Sequence, residues 1–196
     1  MKRAFLDLFV ACSVAFCSVP FAMAQDASAG VPAMQAKQVA PNTYYVEGLS
    51  EPGSSANQNF ISNAGFVITP AGVVVIDALG SPELARRLIA QIRKVTDKPL
   101  HTVIVTHYHA DHVYGLQVFH EAGARIVAHE ASGAYLNSDT ARLRLEASRQ
   151  ELFPWVDEKT QLLPPDEPIK GAKKLLIGGV DFELIPVGPS HTPDDL

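Results

Sequence analysis

The stretch Val103-Ile104-Val105-Thr106-His107-Tyr108-His109-Ala110-Asp111-His112 runs an apolar strand into four residues able to bind metal, all within six positions. In extended backbone, alternate side chains share a face, so His107 and His109 reach one ion together. Asp111 continues that alternation into the following loop, and His112 stands where the next helix begins. Adjacent residues point in different directions, so Asp111 and His112 address a second ion beside the first. Packing does not account for the group. Buried polar side chains cost free energy unless satisfied, and a surface has no reason to collect three imidazoles at a strand end. Adventitious metal affinity of a His-rich loop is the blander account. Nitrogen and carboxylate donors without sulfur suit zinc, with iron or manganese as further options.

Working outward, the pattern alternates strand and helix. The motif strand covers 101–106 and is followed by a helix over 113–122, closed by Gly123. A strand at 125–128 and a helical stretch at 131–152, in one or two pieces, come next. A hairpin at 174–177 and 180–187 turns at Gly178-Gly179. Upstream, Ser81-Pro82-Glu83 is a helix start, with a capping hydroxyl, proline at the first helical position and an acid in the first turn. Leu84, Leu88, Ile92 and Val95 recur at helical spacing behind it. Before that helix, strands at 64–69 and 73–76 form a hairpin around Pro70-Ala71-Gly72. The run Val73-Val74-Val75-Ile76 is apolar at every position, which suggests cover on both faces. A further strand lies at 43–47, and 51–59 is a loop. Alternation of this kind calls for helices layered on a sheet, an α/β fold.

The first 24 residues stand apart. Lys2 and Arg3 precede an apolar run over 8–19, Pro20, and the small-x-small signal Ala22-Met23-Ala24. This is the layout of a secretory signal peptide cleaved near Ala24, and the apolar run is shorter than the ~20 residues a bilayer span needs. Cleavage would remove both cysteines, Cys12 and Cys17, and leave a net charge of −6 in place of −5. The expected location is the periplasm or the exterior, with no membrane attachment after cleavage. Residues 25–41 read as a flexible N-terminal arm. The mild negative charge offers no basic patch for nucleic acid, which leaves a small-molecule substrate as the expected partner.

His-x-His-x-Asp-His after an apolar strand resembles the hallmark of the metallo-β-lactamase superfamily. Val74-Val75-Ile76-Asp77 resembles its first motif, and Ser190-His191-Thr192-Pro193-Asp194 resembles the segment with its third histidine. The resemblance covers about residues 40–196. It implies a four-layer αββα sandwich, with residues 42–196 as the domain. The bridging acid or cysteine and the final histidine of the family would lie beyond Leu196, so the C-terminal half of the sandwich is expected to be missing. It implies that His107, His109 and His191 hold a first zinc, and that Asp111 and His112 hold part of a second. Asp111 would also orient the attacking hydroxide as the catalytic residue, with Asp77 as a supporting acid. By residues alone, His191 is a lone loop histidine, ordinarily a solvated surface residue.

The expected function is therefore that of an exported zinc-dependent hydrolase, with metal-bound hydroxide attacking an ester, thioester or lactam-type carbonyl. The alternatives are an iron-dependent persulfide dioxygenase-like enzyme and a non-catalytic metal-binding module. Asn63-Ala64-Gly65-Phe66 through Thr69-Pro70-Ala71-Gly72 resembles exported members linked to sulfur oxidation or quinoprotein systems. Cysteine-site β-lactamases generally lack a histidine at the position of His112. His101, His120 and His129 are expected to be structural. Tyr108 and Tyr114 flank the motif, and Trp155 either covers the site or anchors the preceding helix.

Overall fold

The computed structural model describes residues 34–196, so the leader at 1–24 and the first part of the arm lie outside the described residues. Seven strands form one sheet in sequence order: β1 (Lys37–Ala40), β2 (Thr43–Val46), β3 (Ala64–Thr69), β4 (Gly72–Ile76), β5 (Leu100–Ile104), β6 (Arg125–His129) and β7 (Glu167–Ile169). The first three pairings are antiparallel; β1–β2 and β3–β4 join through tight turns, and β2–β3 through the long loop over 47–63. From β4 onward the pairings are parallel, each crossing over through helix. The crossovers are α1 (Pro82–Arg93), α2 (Ala110–Val113) with α3 (Leu116–Glu121), and α4 (Glu130–Leu136) with α5 (Asp139–Glu151). A separate antiparallel hairpin, β8 (Lys173–Ile177) and β9 (Val180–Leu184), follows.

The β-branched runs have a side-by-side meaning. Val73 and Val75 of β4, Val103 of β5, and Ile126 and Ala128 of β6 face the helices, in one core with Leu84, Leu88, Ile92 and Phe119. Their alternates Val74, Ile104 and Val127 face the other way, onto Leu175, Ile177 and Leu184 of the hairpin. Both faces are thus covered, as the all-apolar run of β4 predicts. Full burial of each leucine or isoleucine contributes about 1.5–3 kcal/mol. Helices, sheet and hairpin make three layers among the described residues, the first three of an αββα arrangement.

α1 begins as expected: the Ser81 hydroxyl accepts from the Leu84 amide at 3.3 Å, and Pro82 opens the helix. It ends at Arg93, and Val95 is exposed. Four other expectations need correction. The second half of the supposed arm is not loose: Met34 is buried, and residues 37–40 form edge strand β1. That strand is four residues long and exposed throughout, with two polar then two apolar residues, so it carries no apolar alternation to read. Strand β7 was not expected, because it has three residues and a proline, which suits an edge strand. β9 stops at Leu184, short of 187. The helix after the motif starts earlier and breaks in two at Gly115, where a Cβ would lie 2.0 Å from the Ala78 carbonyl oxygen. Only glycine lets that turn sit against the end of β4, and the Gly115 amide donates to the Leu79 carbonyl at 3.2 Å.

Candidate metal centre

The motif leaves the C-terminal end of β5, beside the end of parallel neighbour β4. In open α/β sheets this is the edge where ligands bind. β4 is followed by Asp77, a non-glycine residue with φ of +64°. Its buried carboxylate accepts three hydrogen bonds, each 2.8 Å: from the Thr106 amide, the Thr106 hydroxyl and His112 Nδ1. The Thr106 hydroxyl also lies 3.1 Å from His107 Nδ1. Asp77 therefore fixes His112 directly and His107 through Thr106, each by its Nδ1 side.

His109 caps the N-terminus of α2, so Asp111 and His112 occupy its first turn. This corrects the expectation that Asp111 continues the strand alternation. Helical backbone turns both side chains back beside the strand end instead. His112 Nε2 lies 3.2 Å from Asp111 Oδ2, and its ring centroid is 4.1 Å from that of His107. The Ser62 hydroxyl donates to the Asp111 carbonyl at 2.5 Å and ties the turn to the loop before β3.

His191 arrives from the loop after β9, with its donor atom in the same group. His107, His109 and His191 each offer one atom, and these lie within 4.8 Å of one another. The three rings are mutually near perpendicular, with centroids 5.0, 5.0 and 4.5 Å apart at 77°, 79° and 89°. Zinc–imidazole bonds are about 2.0–2.1 Å long, so three ring nitrogens gathered this closely can share one ion. Three imidazole nitrogens suit a divalent ion, commonly zinc. Asp111 and His112 adjoin the cradle but belong to no second closed group among the described residues.

Asp195 builds the His191 loop. Its Oδ2 accepts from the His191 and Thr192 amides at 2.5 and 2.9 Å, and its Oδ1 from the Thr192 hydroxyl at 2.6 Å. These donors, the Thr192 hydroxyl first, hold its carboxyl down at about 2. The Leu196 amide then donates to the Thr106 carbonyl at 3.0 Å, joining the loop to the motif.

The electrostatics divide the histidines. Burial lowers His107, helped by the neighbouring His112, and burial lowers His109, helped by His191. Both imidazoles are therefore neutral near pH 7, as metal ligation requires. Burial also opposes charge on His112, but Asp111 and Asp77 outweigh it and push it up to about 9. In turn His112 overcomes the burial of Asp111 and holds that carboxyl below the usual range.

The other histidines have local partners: His101 with the Thr102 hydroxyl, His120 with Asp166, and His129 as the cap of α4. Tyr108 stacks on Tyr135 at 4.0 Å, and the Tyr114 hydroxyl meets Ser148 at 3.0 Å. The Trp155 indole N–H donates to the Ser55 carbonyl at 2.7 Å, tying the segment after α5 to the 51–59 loop. Sequence reading missed Thr106, Ser62 and Asp195. Asp195 had a local signal, an acid four residues after His191 able to bond nearby amides. Ser62 had none, since 49 residues separate it from Asp111.

Comparison with known proteins agrees with this geometry. The family model described as the metallo-beta-lactamase superfamily matches residues 58–196. A linear primary-alkylsulfatase of Pseudomonas sp. (strain ATCC 19151) is 36% identical over 50 residues, 26% of this chain and 10% of that protein. Metallo-beta-lactamase type 2 of Bacillus cereus is 24% identical over 147 residues, 75% of this chain and 49% of that one. Among solved structures, the native FEZ-1 metallo-beta-lactamase of Legionella gormanii superposes with a TM-score of 0.61 at 17% identity, covering 82% of this chain and 55% of that one. The chain thus spans about half the length of these β-lactamases and a tenth of the alkylsulfatase. With the family model covering the motif, both sheet faces and the His191 loop, the chain belongs to the metallo-beta-lactamase superfamily.

Proposed function

We propose that the chain carries the first metal centre of an exported, zinc-dependent hydrolase that cleaves an ester, thioester or lactam-type bond of a small molecule. The observation that carries this reading is the convergence of His107, His109 and His191 from two distant segments onto one point. When bound, a zinc ion supplies Lewis acidity and brings the pKa of water at its open position to about 7.

The chain's own residues do the rest. His107, His109 and His191 hold the ion as neutral imidazoles. Asp111, kept ionised by His112, orients the attacking water and accepts its proton. His112, aimed by Asp77, is placed with Asp111 to contribute to a second ion. Asp77 and Thr106 keep His107 in register through each cycle. The leader-like residues 1–24 support a periplasmic or secreted location.

Metal analysis of the purified chain tests the reading, alongside turnover of nitrocefin, a thioester, a lactone and an alkyl sulfate. Stoichiometric zinc with turnover, both lost in His107→Ala and turnover lost in Asp111→Ala, supports it, and the preferred substrate identifies the bond. Iron in place of zinc moves the reading to oxidation of a persulfide. A chain that retains no stoichiometric metal leaves a non-catalytic module.

A further inference from the structure

Asp194 is 1% exposed, and its two carboxylate oxygens are treated differently. Oδ2 accepts a hydrogen bond from the Ser132 hydroxyl, a fully buried group on α4. Oδ1 is buried with no hydrogen-bond partner, the one such side-chain atom among the described residues. Its neighbour Asp195 shows the contrast, with three donors on its two oxygens. A buried carboxylate whose one polar partner is a neutral hydroxyl has lost hydration without full replacement, and that costs free energy. A native structure keeps such a group for a reason, and an ion is one of the few available.

The surroundings indicate which ion. Asp194 stands three residues after His191. Its negative charge reaches both His109 and Tyr108 of the motif. Ser132 and Tyr135 are three apart on α4 and share one face. Ser132 holds Asp194, while Tyr135 stacks on Tyr108, between the two motif histidines. One helix face thus braces both segments that supply the three-histidine cradle. Three neutral imidazoles leave a divalent ion's charge undiminished, and the nearest carboxylate of the motif, Asp111, is already paired with His112.

We propose that Asp194 is a positioning residue for the metal centre: its unpaired buried oxygen supplies the negative charge that offsets the ion, and its bond to Ser132 sets the His191 loop against α4. This rests on the metal reading above. The role predicts opposite effects on two measurements. Without metal, Asp194 burdens the fold with an uncompensated charge. With metal, the same charge strengthens binding.

The test compares the whole wild-type chain with Asp194→Asn, which keeps an acceptor for Ser132 and removes the charge. Zinc and cobalt affinities are read by chelator competition, the cobalt absorption spectrum reports ligand geometry, and thermal unfolding is followed without metal. Asp194→Asn is expected to bind zinc about 10- to 100-fold more weakly. Its metal-free form should unfold at the same or a higher temperature, because a buried unpaired charge has gone. Ser132→Ala provides an independent variant. It should lower the metal-free midpoint, by stripping the last partner from the carboxylate, and should alter the cobalt spectrum. Unchanged zinc affinity in Asp194→Asn overturns the proposal. Should that variant fail to fold, Ser132→Ala with wild-type affinity and spectrum overturns it equally. A wild-type chain that binds neither metal overturns the metal reading itself, and this inference with it.

Discussion

The two segments that supply the metal cradle are held by different chemistry. His107 and His109 follow a strand in the parallel half of a mixed sheet, and their register is set from behind by buried Asp77. His191 sits in a loop of mostly exposed residues, organised by the one carboxylate of Asp195 four residues away. The first arrangement ties the end of β4 to a motif 29 to 35 residues later. The second is nearly self-contained, closed on itself by the Val187 amide on the Asp195 carbonyl, and joins the rest chiefly through Leu196 on Thr106 and Ser132 on Asp194. A ligand carried by a sheet inherits the stability of the core, whereas a ligand carried by a loop depends on a few local bonds.

Removing the anchor of the first segment should have the largest effect. Asp77→Ala leaves His112, the Thr106 amide and the Thr106 hydroxyl without their acceptor, and should cost about 3–5 kcal/mol in denaturant unfolding, the range for breaking a buried pair. A loss below about 1 kcal/mol would mean the sheet, not Asp77, sets the motif. Thr106→Val removes one relay and keeps the amide bond, so a smaller loss of about 1–2 kcal/mol is expected, with His107 ligation weakened.

Acid and alkali should separate the segments. Without metal, His112 titrates at about 9 in the fold against an ordinary 6.5. A raised value means that its bonds to Asp77 and Asp111 stabilise the fold fully below pH 6.5 and are lost as pH rises through about 9. The melting temperature of the metal-free chain should therefore fall over that interval, and His112→Gln should flatten the fall. Asp195 titrates at about 2 against an ordinary 3.8. A depressed value means that its contribution is full above that ordinary value and is lost as pH falls through about 2. Asp195→Asn should change the acid limb of the same curve and leave the alkaline limb alone. One variant altering both limbs would show that the two segments unfold as a unit. The smallest effect expected is on global stability of Asp195→Asn at neutral pH, while its metal affinity drops by about 10-fold as the His191 loop loosens.

Much of this molecule was legible from local pattern. The all-apolar run Val73–Ile76 announced a strand covered on both faces, and Val74 indeed packs on the hairpin while Val73 and Val75 pack on helices. Ser81-Pro82 marked the start of α1 to the residue. The run His107 to His112 stood out because so many donors in so short a span have no packing explanation, and His107 and His109 of it join His191 in one group. These signals are local because strand alternation, helix caps and adjacent donors are all written within a few residues.

What only the tertiary structure decided is who stands next to whom. The edge strands β1 and β7 exist because neighbouring strands offer hydrogen bonds, not because their own residues demand extension. Glycine at 115 passes as an ordinary position in the expected 113–122 helix until the Ala78 carbonyl is seen against it. Asp77 is a strand-ending acid in the sequence, and its three donors, 29 to 35 residues away, appear only when β4 and β5 pair in parallel. His191 is an ordinary loop histidine until folding brings it within reach of His107 and His109. A sequence carries donor chemistry residue by residue. Convergence, burial and the partner that sets a side chain's charge depend on contacts between distant segments, which the packed sheet creates.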